Sequence, residues 1–302
     1  MFIVKYRKIF FTFSAVLIAL TFYGMFAYGF NLGIDFLGGT ITEVSYLDGR
    51  PDKGAVEQSI VALSLGGFSV RPSGNNKYIV RTKELSQEEG TLLIKTLSFG
   101  EVDRVVLERQ NTVGPVAGAE LKNKAIKAIV VVILMIVLFI TFAFRHVSKP
   151  VSSWKYGLAA IVALFHDVAI PTGAFIFLGW IYGLEIDLLF VGGLLAIVGY
   201  SVHDTIVVFD RVRENLRINQ KENRTEEFEI TVGNSVTQTM FRSINTSLTL
   251  LITLLALFII GSGATKDFSL LLIIGVIAGT YSSIFIASPL LVTFYKLQKS
   301  SK

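Results

Sequence analysis

Apolar positions divide the chain into six long hydrophobic runs and one long polar stretch. A helix needs about 20 predominantly apolar residues to cross the hydrocarbon core of a bilayer. Six runs approach that length, with approximate limits 9–29, 125–144, 157–180, 186–209, 243–262 and 268–294. The pattern therefore predicts an α-helical integral membrane protein with six transmembrane helices.

The polar stretch after the first run alternates between strand-like and helix-like spacing. Strands are predicted at 40–47, 68–71, 77–82 and 101–110, and helices at 52–65 and 85–97. Residues 73–76 resemble a hairpin turn, and Ser86 with Glu89 fits a capping box. The order β-α-β-β-α-β predicts a small α+β domain of the ferredoxin-like type.

Domain limits follow from these runs, and orientation follows from the basic residues. The expected parts are the N-terminus with the first helix at 1–29, the ferredoxin-like domain at 30–124, and the remaining five helices at 125–302, which include a cytoplasmic loop at 210–242. Cytoplasmic loops carry an excess of Lys and Arg. The short loops at 181–185 and 261–267 contain one basic residue, Lys266. We therefore expect both termini in the cytoplasm and residues 30–124 outside.

Composition supports a membrane protein and removes several function classes. The chain is 52% hydrophobic with a mean hydropathy of +0.61. The net charge of +5 is explained by basic residues in the cytoplasmic loops, so we expect no nucleic acid partner. We do expect the protein to contact membrane lipid. Absence of cysteine excludes disulfides and thiol chemistry. No metalloprotease, nucleophile-elbow or phosphate-loop motif is present, so we expect no enzyme activity, no organic cofactor and no metal.

Asp204 lies within the fourth apolar run. A charged side chain at bilayer depth costs at least about 2.5–3.5 kcal/mol, so such a residue is usually paired, protonated or in contact with a wet path. Ser201, Asp204 and Thr205 share one helical stripe with Tyr200 and Val208. We predict that Asp204 exchanges protons; the alternative is a structural carboxyl that stays paired or protonated.

A second acidic position, Asp167, follows His166 in the third run. Together with His203 and Asp204 it suggests a metal site, but adjacent helix residues diverge and a structural zinc site needs four ligands. We interpret Asp167 as a second relay carboxylate or as a hydrogen-bonded helix contact. His203 is expected to point about 100° away from Asp204.

Arg242 precedes the fifth run, on the same face as Asn245, Thr249 and Thr253. Two interpretations remain open. Arg242 either pairs with Asp204 and releases it on proton uptake, or extends to the lipid headgroups as an anchor.

Small residues recur at four-residue spacing in the later runs. Gly192 with Ala196 form one set, and Gly275, Gly279 and Ser283 form another. Such spacing lets membrane helices approach closely, so we predict helix packing at both places.

Five segments together carry a resemblance to a known family. They are Gly33-Ile34-Asp35-Phe36-Leu37-Gly38-Gly39, Val113-Gly114-Pro115, the stretch from Gly199 to Arg211, Ser243-Ile244-Asn245-Thr246-Ser247 and Tyr281-Ser282-Ser283-Ile284. Over essentially its whole length the chain resembles the SecF family of bacterial protein-export membrane proteins, within the resistance-nodulation-division superfamily. One departure is His203, where the family more often has Asn.

The resemblance implies a function and partners. SecF proteins work with SecD and the SecYEG channel in the bacterial inner membrane, using protons as the coupling ion to move or release a preprotein on the outer face. The resemblance implies a proton-relay Asp at the position of Asp204 and a functional Arg at the position of Arg242. To this predicted proton relay we add Asp167, Ser201 and Thr205. The expected hinge and motif residues are Gly33, Asp35, Gly38, Gly39, Gly114 and Pro115.

The resulting coupling hypothesis has three steps. Asp204 is protonated from outside, the contact between Asp204 and Arg242 loosens, and repacking of the helices moves the outer domain. Two alternatives remain. The chain is half of a proton-driven small-molecule exporter of the same superfamily, or it is an assembly scaffold that transduces nothing.

Overall fold

The computed structural model describes residues 2–101, 104–144 and 151–300. The start of the last predicted strand, at 102–103, and residues 145–150 of the predicted 125–302 unit lie outside the described residues. In chain order the helices are α1 (Phe2–Lys5), α2 (Arg7–Ala27), α3 (Ile34–Leu37), α4 (Lys53–Val61), α5 (Gln87–Leu97), α6 (Pro115–Ala143), α7 (Ser153–Tyr182), α8 (Leu188–Lys221), α9 (Phe228–Ile260), α10 (Gly263–Ser282) and α11 (Ser288–Ser300). A π-helical segment, Ser283–Ala287, joins α10 to α11.

The predicted six spans are confirmed. Within the described ranges, six helical stretches are long and apolar enough to cross a membrane: α2, α6, α7, α8, α9 and the continuous run from α10 into α11. Their mean hydropathy in the most apolar window runs from 1.6 for α8 to 3.0 for α6. The low value for α8 reflects the polar side chains it carries into the bundle.

Several of these helices, among them α8 and α9, are longer than the apolar runs that predicted them. The segment expected as a loop at 210–242 is a helical hairpin, because α8 continues to Lys221 and α9 begins at Phe228. Hydropathy marks only the lipid-embedded part of a helix, whereas Glu, Lys, Arg and Gln continue it into water. Val212 and Val232 are fully buried where the hairpin packs on the bundle.

The polar stretch folds as the predicted ferredoxin-like domain. Its strands are β1 (Gly39–Tyr46), β2 (Ser69–Ser73), β3 (Lys77–Thr82) and β4 (Val105–Val113), in the antiparallel order β2-β3-β1-β4. The turn between β2 and β3 and the Ser86–Glu89 capping box form as predicted. Val44 and Val80 on the sheet and Ile60 and Leu93 on the helices form the core, because alternate strand residues face the two helices.

Two ion pairs hold this domain against the adjacent ends of the membrane helices. Arg71 of β2 donates to Asp267 of α10 at 2.5 Å, and Arg81 of β3 lies 3.3 Å from Glu185 in the loop between α7 and α8. Burial raises the pKa of Glu185 above its ordinary value, although Arg81 and Arg71 act in the opposite direction. The cost of removing this carboxylate from water therefore exceeds the attraction of its partners.

The motif residues quoted from separate segments meet at one junction. Gly38 and Gly39 have φ of +78° and +129°, a conformation that side chains rarely adopt. A Cβ on Gly38 would lie 2.9 Å from Pro115 Cα, and one on Gly39 would lie 2.6 Å from the Thr82 carbonyl oxygen. Gly114 is the N-cap of α6, and Pro115 is its first residue.

The other two motif residues tie this junction to α8. The Gly33 amide donates to the Ile186 carbonyl at 2.9 Å, and the Asp35 carboxylate accepts from the Leu188 amide at 3.0 Å. Asp187 accepts from the Phe190 amide at 2.8 Å and caps the same helix. The segment we predicted as a hinge is therefore closely packed, and its role as a hinge stays a prediction.

We expect Gly39→Ala to destabilise the domain junction. The φ of +129° alone costs about 1–3 kcal/mol for a residue with a side chain, and contact with Thr82 adds to it. Gly49→Ala is the matched control, because Gly49 has a φ of +92° and open space around it. The measurement is the thermal unfolding midpoint in detergent; equal losses for the two variants would contradict the packed junction.

We expect Glu185→Gln to stabilise the protein at pH 7 and to change little near pH 4. An acid whose pKa is raised by folding destabilises the folded state as pH rises past its unfolded pKa of about 4.3, and Gln removes that loss. Arg81→Ala should instead cost about 1–3 kcal/mol at pH 7, because it leaves the carboxylate unpaired. Unfolding midpoints at both pH values test this; destabilisation by Glu185→Gln at pH 7 would refute it.

Candidate functional site

Asp204 is 8% exposed and lies between three membrane helices. Its two carboxylate oxygens accept hydrogen bonds from Ser243 of α9 and from Ser283 of the π-helical segment, each at 2.5 Å. Hydrogen bonds to charged groups contribute about 1.5–3 kcal/mol each, so this pairing offsets part of the cost of burying the carboxylate. The predicted burial of Asp204 is therefore confirmed, and its partners are hydroxyl groups.

Asp167 of α7 is a second buried carboxylate and is fully enclosed. One of its oxygens lies 3.0 Å from His166 Nδ1. The other accepts from the hydroxyl of Ser282, at 2.8 Å, and from the hydroxyl of Ser201. The structure thus brings together two predicted relay residues, Asp167 and Ser201, and shows Asp167 in a hydrogen-bonded contact that joins three helices.

Ser282 and Ser283 are adjacent in the chain, yet their hydroxyls donate hydrogen bonds to different carboxylates. Successive residues of an α-helix point about 100° apart, so Ser282 reaches Asp167 while Ser283 reaches Asp204. The helix changes from α to π at this point. Insertions of this kind are frequent at functional sites, and here the serines on the two sides of the transition each donate to one carboxylate.

The close approach of α8 and α10 makes these contacts possible. A Cβ on Gly275 would lie 2.1 Å from Ile197 Cδ1, and one on Gly279 would lie 3.0 Å from Ser201 Cβ. The predicted packing of the set that includes Gly275 and Gly279 is therefore confirmed. Gly192 and Ala196, in contrast, face outward on α8, and a Cβ on Gly192 would contact nothing within 4 Å among the described residues.

Further hydroxyls extend from Asp204 toward the surface of the bundle. The Ser247 hydroxyl lies 2.8 Å from that of Tyr200 and 2.5 Å from that of Thr280. It also donates to the carbonyl of Ser243, the residue that donates to Asp204. Tyr200 is half-buried, so this set of polar groups connects the enclosed carboxylate with the exposed side of α8 and α9.

The predicted contact between Asp204 and Arg242 is not formed, and that interpretation was wrong for this structure. Arg242 is exposed, whereas the next residue, Ser243, faces inward and donates to Asp204. The angle of about 100° between neighbouring helix residues explains the difference. Asn245, Thr249 and Thr253 are also exposed, so the polar face of α9 points away from the bundle.

His203 points away from the site as predicted, and Thr205 is buried without donating to either carboxylate in the described structure. Sequence reasoning missed the donors Ser243, Ser282 and Ser283 as site residues. A hydroxyl within an apolar run is ordinarily satisfied by its own helix backbone, so the sequence shows no difference between such a serine and one that serves a carboxylate.

This arrangement suits proton binding. A serine hydroxyl donates to an ionised carboxylate and accepts from a protonated one, so both states of Asp204 keep their hydrogen bonds. No cation lies within ion-pair distance of Asp204 in the described part of the chain. Among the same residues no three His, Cys, Asp or Glu side chains cluster in a way that would hold a metal ion.

Comparison with known proteins identifies the family. Residues 94–297 match the model of the protein export membrane protein SecD/SecF C-terminal region, and residues 23–46 match the SecD/SecF GG motif. The protein translocase subunit SecF of Thermobaculum terrenum is 40% identical over 97% of this chain and 93% of its own length. The SecF subunit of Sebaldella termitidis is 33% identical over 99% and 94%.

A solved structure shows the same fold. The crystal structure of SecDF from Thermus thermophilus, described as a translocon-associated membrane protein, superimposes with a TM-score of 0.84 at 32% identity. The match covers 97% of this chain and 38% of that one. These matches extend over the membrane helices and the outer domain alike. The chain belongs to the SecF family of subunits of the Sec protein translocase.

Proposed function

We propose that this chain works with SecD and the SecYEG channel to couple proton flow across the bacterial inner membrane to preprotein movement or release on the outer face. In this proposal both termini are cytoplasmic and residues 30–124 are extracytoplasmic. The observation that supports it most strongly is the environment of Asp204: a carboxylate enclosed by membrane helices, served by two serine hydroxyls and by no cation in the described structure.

Physical chemistry favours exchange of a proton at such a group. A buried charge without a counter-ion is costly in a low-dielectric interior, so binding a proton competes with keeping the charge. One proton moving down a membrane potential of 100 mV releases about 2.3 kcal/mol. That energy is comparable with the cost of breaking a few partly buried hydrogen bonds, so it suffices to bias a change of helix packing.

The same helices that hold the carboxylates also hold the outer domain. α8 carries Asp204, and its first turn is fixed to the glycine junction by Asp35. α10 leads to Ser282 and Ser283 at its inner part and carries Asp267, the partner of Arg71, near its outer end. A shift of α8 relative to α10 on protonation would therefore reach the domain through two separate contacts.

The exposed face of the bundle fits a membrane partner, which we propose is SecD. Gly192, Ala196 and Gly199 are exposed on one side of α8, and α9, which packs against α8, also exposes polar side chains. Small residues allow a second helix to approach, and polar side chains gain hydrogen bonds there that lipid cannot give. The relative SecDF of Thermus thermophilus, 36% identical, contains the region matching this chain within a single longer protein.

Arg242 has a place in this proposal at the partner interface. Arg242 is exposed on the same side of α9 as Asn245 and Thr249, and in this proposal that side faces SecD. Its functional role then depends on a carboxylate or backbone carbonyl of the partner. Half of a small-molecule exporter and a non-transducing scaffold remain as the competing functions.

We expect Asp204→Asn to reduce proton-stimulated export to the rate measured after the proton gradient is collapsed. The amide keeps the shape of the side chain and removes the titrating group. Asp210→Asn, an exposed position six residues further along α8, is the matched control and should export at the normal rate. Full proton dependence in Asp204→Asn would contradict the relay role, and unchanged export with impaired assembly would favour the scaffold.

Single cysteines on α8 test the partner directly, because the chain has no native cysteine. Ala196→Cys or Gly199→Cys, labelled with a photo-crosslinker, should crosslink to SecD in membranes. Phe26→Cys on α2 is the control; Phe26 is 88% exposed and lies on a different face. Crosslinking to SecD from position 26 but not from positions 196 and 199 would place the partner elsewhere, and capture of no Sec component would favour the exporter.

A further inference from the structure

We propose that His166 is a second proton-binding group, which acts with Asp167 as one unit and receives the proton on its Nε2 atom. This inference extends the proposed function from one proton site to two coupled sites. It rests on the geometry of α7 and α10, and its main test measures proton binding without measuring export.

His166 is an unusual side chain for the interior of a membrane helix bundle. It is 2% exposed, and its Nδ1 atom lies 3.0 Å from an oxygen of Asp167. Its Nε2 atom is buried and has no hydrogen-bond partner among the described residues. Buried polar atoms are nearly always hydrogen-bonded, so an exception calls for a functional explanation.

The contacts of Asp167 favour one position for the hydrogen on the imidazole ring. Its second oxygen already accepts from Ser201 and Ser282, so the carboxylate acts as an acceptor on both sides. An ionised carboxylate accepts from the histidine as well, which places the hydrogen on Nδ1 and the lone pair on Nε2. Addition of a proton forms the Nε2–H bond, breaks no other bond in the pair, and gives an imidazolium beside a carboxylate, with no net charge.

Few other ionisable groups surround this pair. From α10, the Tyr281 ring stacks on the imidazole with centroids 5.7 Å apart, and its hydroxyl donates to the Phe10 carbonyl of α2. α2 also contributes Ser14, which donates to Tyr281 at 3.3 Å. α6 carries no ionisable residue from Ala128 to Ala143. Among the described residues, Asp204 is the carboxyl group whose serine donors adjoin those of Asp167.

Two short connections join the pair to Asp204. Ser282, which donates to Asp167, is followed directly by Ser283, which donates to Asp204. Ser201 of α8, which donates to Asp167, lies one helical turn before Asp204. Negative charge on Asp204 favours a proton on His166, and protonation of Asp204 removes that influence. The two sites should therefore bind protons as a coupled system.

Nuclear magnetic resonance of the ring nitrogens tests this on the purified full-length chain labelled with ¹⁵N-histidine. The His166 signals are assigned by their loss in His166→Asn. We expect a neutral form with hydrogen on Nδ1 and conversion to the doubly protonated form on acidification. At a fixed pH midway through that conversion, Asp204→Asn should lower the protonated fraction, whereas Asp210→Asn should leave it unchanged.

Two outcomes would overturn the proposal. One is a neutral form with hydrogen on Nε2, or an imidazole that does not titrate while the protein stays folded. The other is a protonated fraction that is the same in Asp204→Asn and in the parent. Neither outcome depends on export. If His166 does not bind a proton, the proposed role of Asp204 in export still stands. If Asp204→Asn exports normally, the measurement on His166 can still be interpreted.

A pair of substitutions separates proton binding from a structural role. His166→Asn keeps an amide N–H near the position of Nδ1 and removes the acceptor atom at Nε2, whereas His166→Ala removes both. We expect His166→Asn to fold with a normal unfolding midpoint and yet to lose proton-stimulated export as fully as His166→Ala. Normal export in His166→Asn would show that His166 is only a donor to Asp167.

Discussion

The hydrogen bonds between serine hydroxyls and the two buried carboxylates are the interactions on which the rest of this bundle depends. Asp167 and Asp204 enter the membrane on α7 and α8, and neither is paired with Lys or Arg in the described structure. Their donors come from α8, α9 and both sides of the α-to-π transition after α10. Four helical segments are thereby held together by two titratable carboxyl groups and their serine donors. A packed apolar interface would give similar stability without titratable groups.

The outer domain shares its anchoring points with this core. Its sheet is fixed to α10 by Arg71 and to the loop before α8 by Arg81. The glycine junction places Gly39 at the start of β1 while Gly38 contacts the first residue of α6. These contacts leave little space for independent movement of the domain while α8 and α10 stay as they are. In the proposed function, movement of the domain would therefore require rearrangement of the carboxylate contacts.

Much of the fold could be predicted from the sequence because it follows from local periodicity. The six apolar runs and the alternating pattern in 40–110 can each be recognised from neighbouring residues in the sequence. The structure confirms the six helices and the four-stranded sheet that they predict. The last residue of α8 and the first residue of α9 could not be predicted from the sequence. Both helices continue through polar segments whose hydropathy is that of water-exposed sequence. The outward direction of Arg242 was also not predictable, because the rotation of a helix about its axis depends on its neighbours. The burial of Asp204 was predicted correctly from its place in an apolar run, whereas its hydrogen-bond partners could be found only by knowing which helices meet.

Proton exchange at Asp204 in the folded membrane protein is the central claim. Infrared difference spectroscopy of the purified chain in lipid measures it most directly, through the carbonyl stretch of a protonated carboxyl group. The predicted result is a band that appears reversibly on acidification, shifts when Ser283 is replaced by Ala, and is missing in Asp204→Asn. A spectrum in which no band assignable to Asp204 changes across the pH range of the folded protein would contradict the claim.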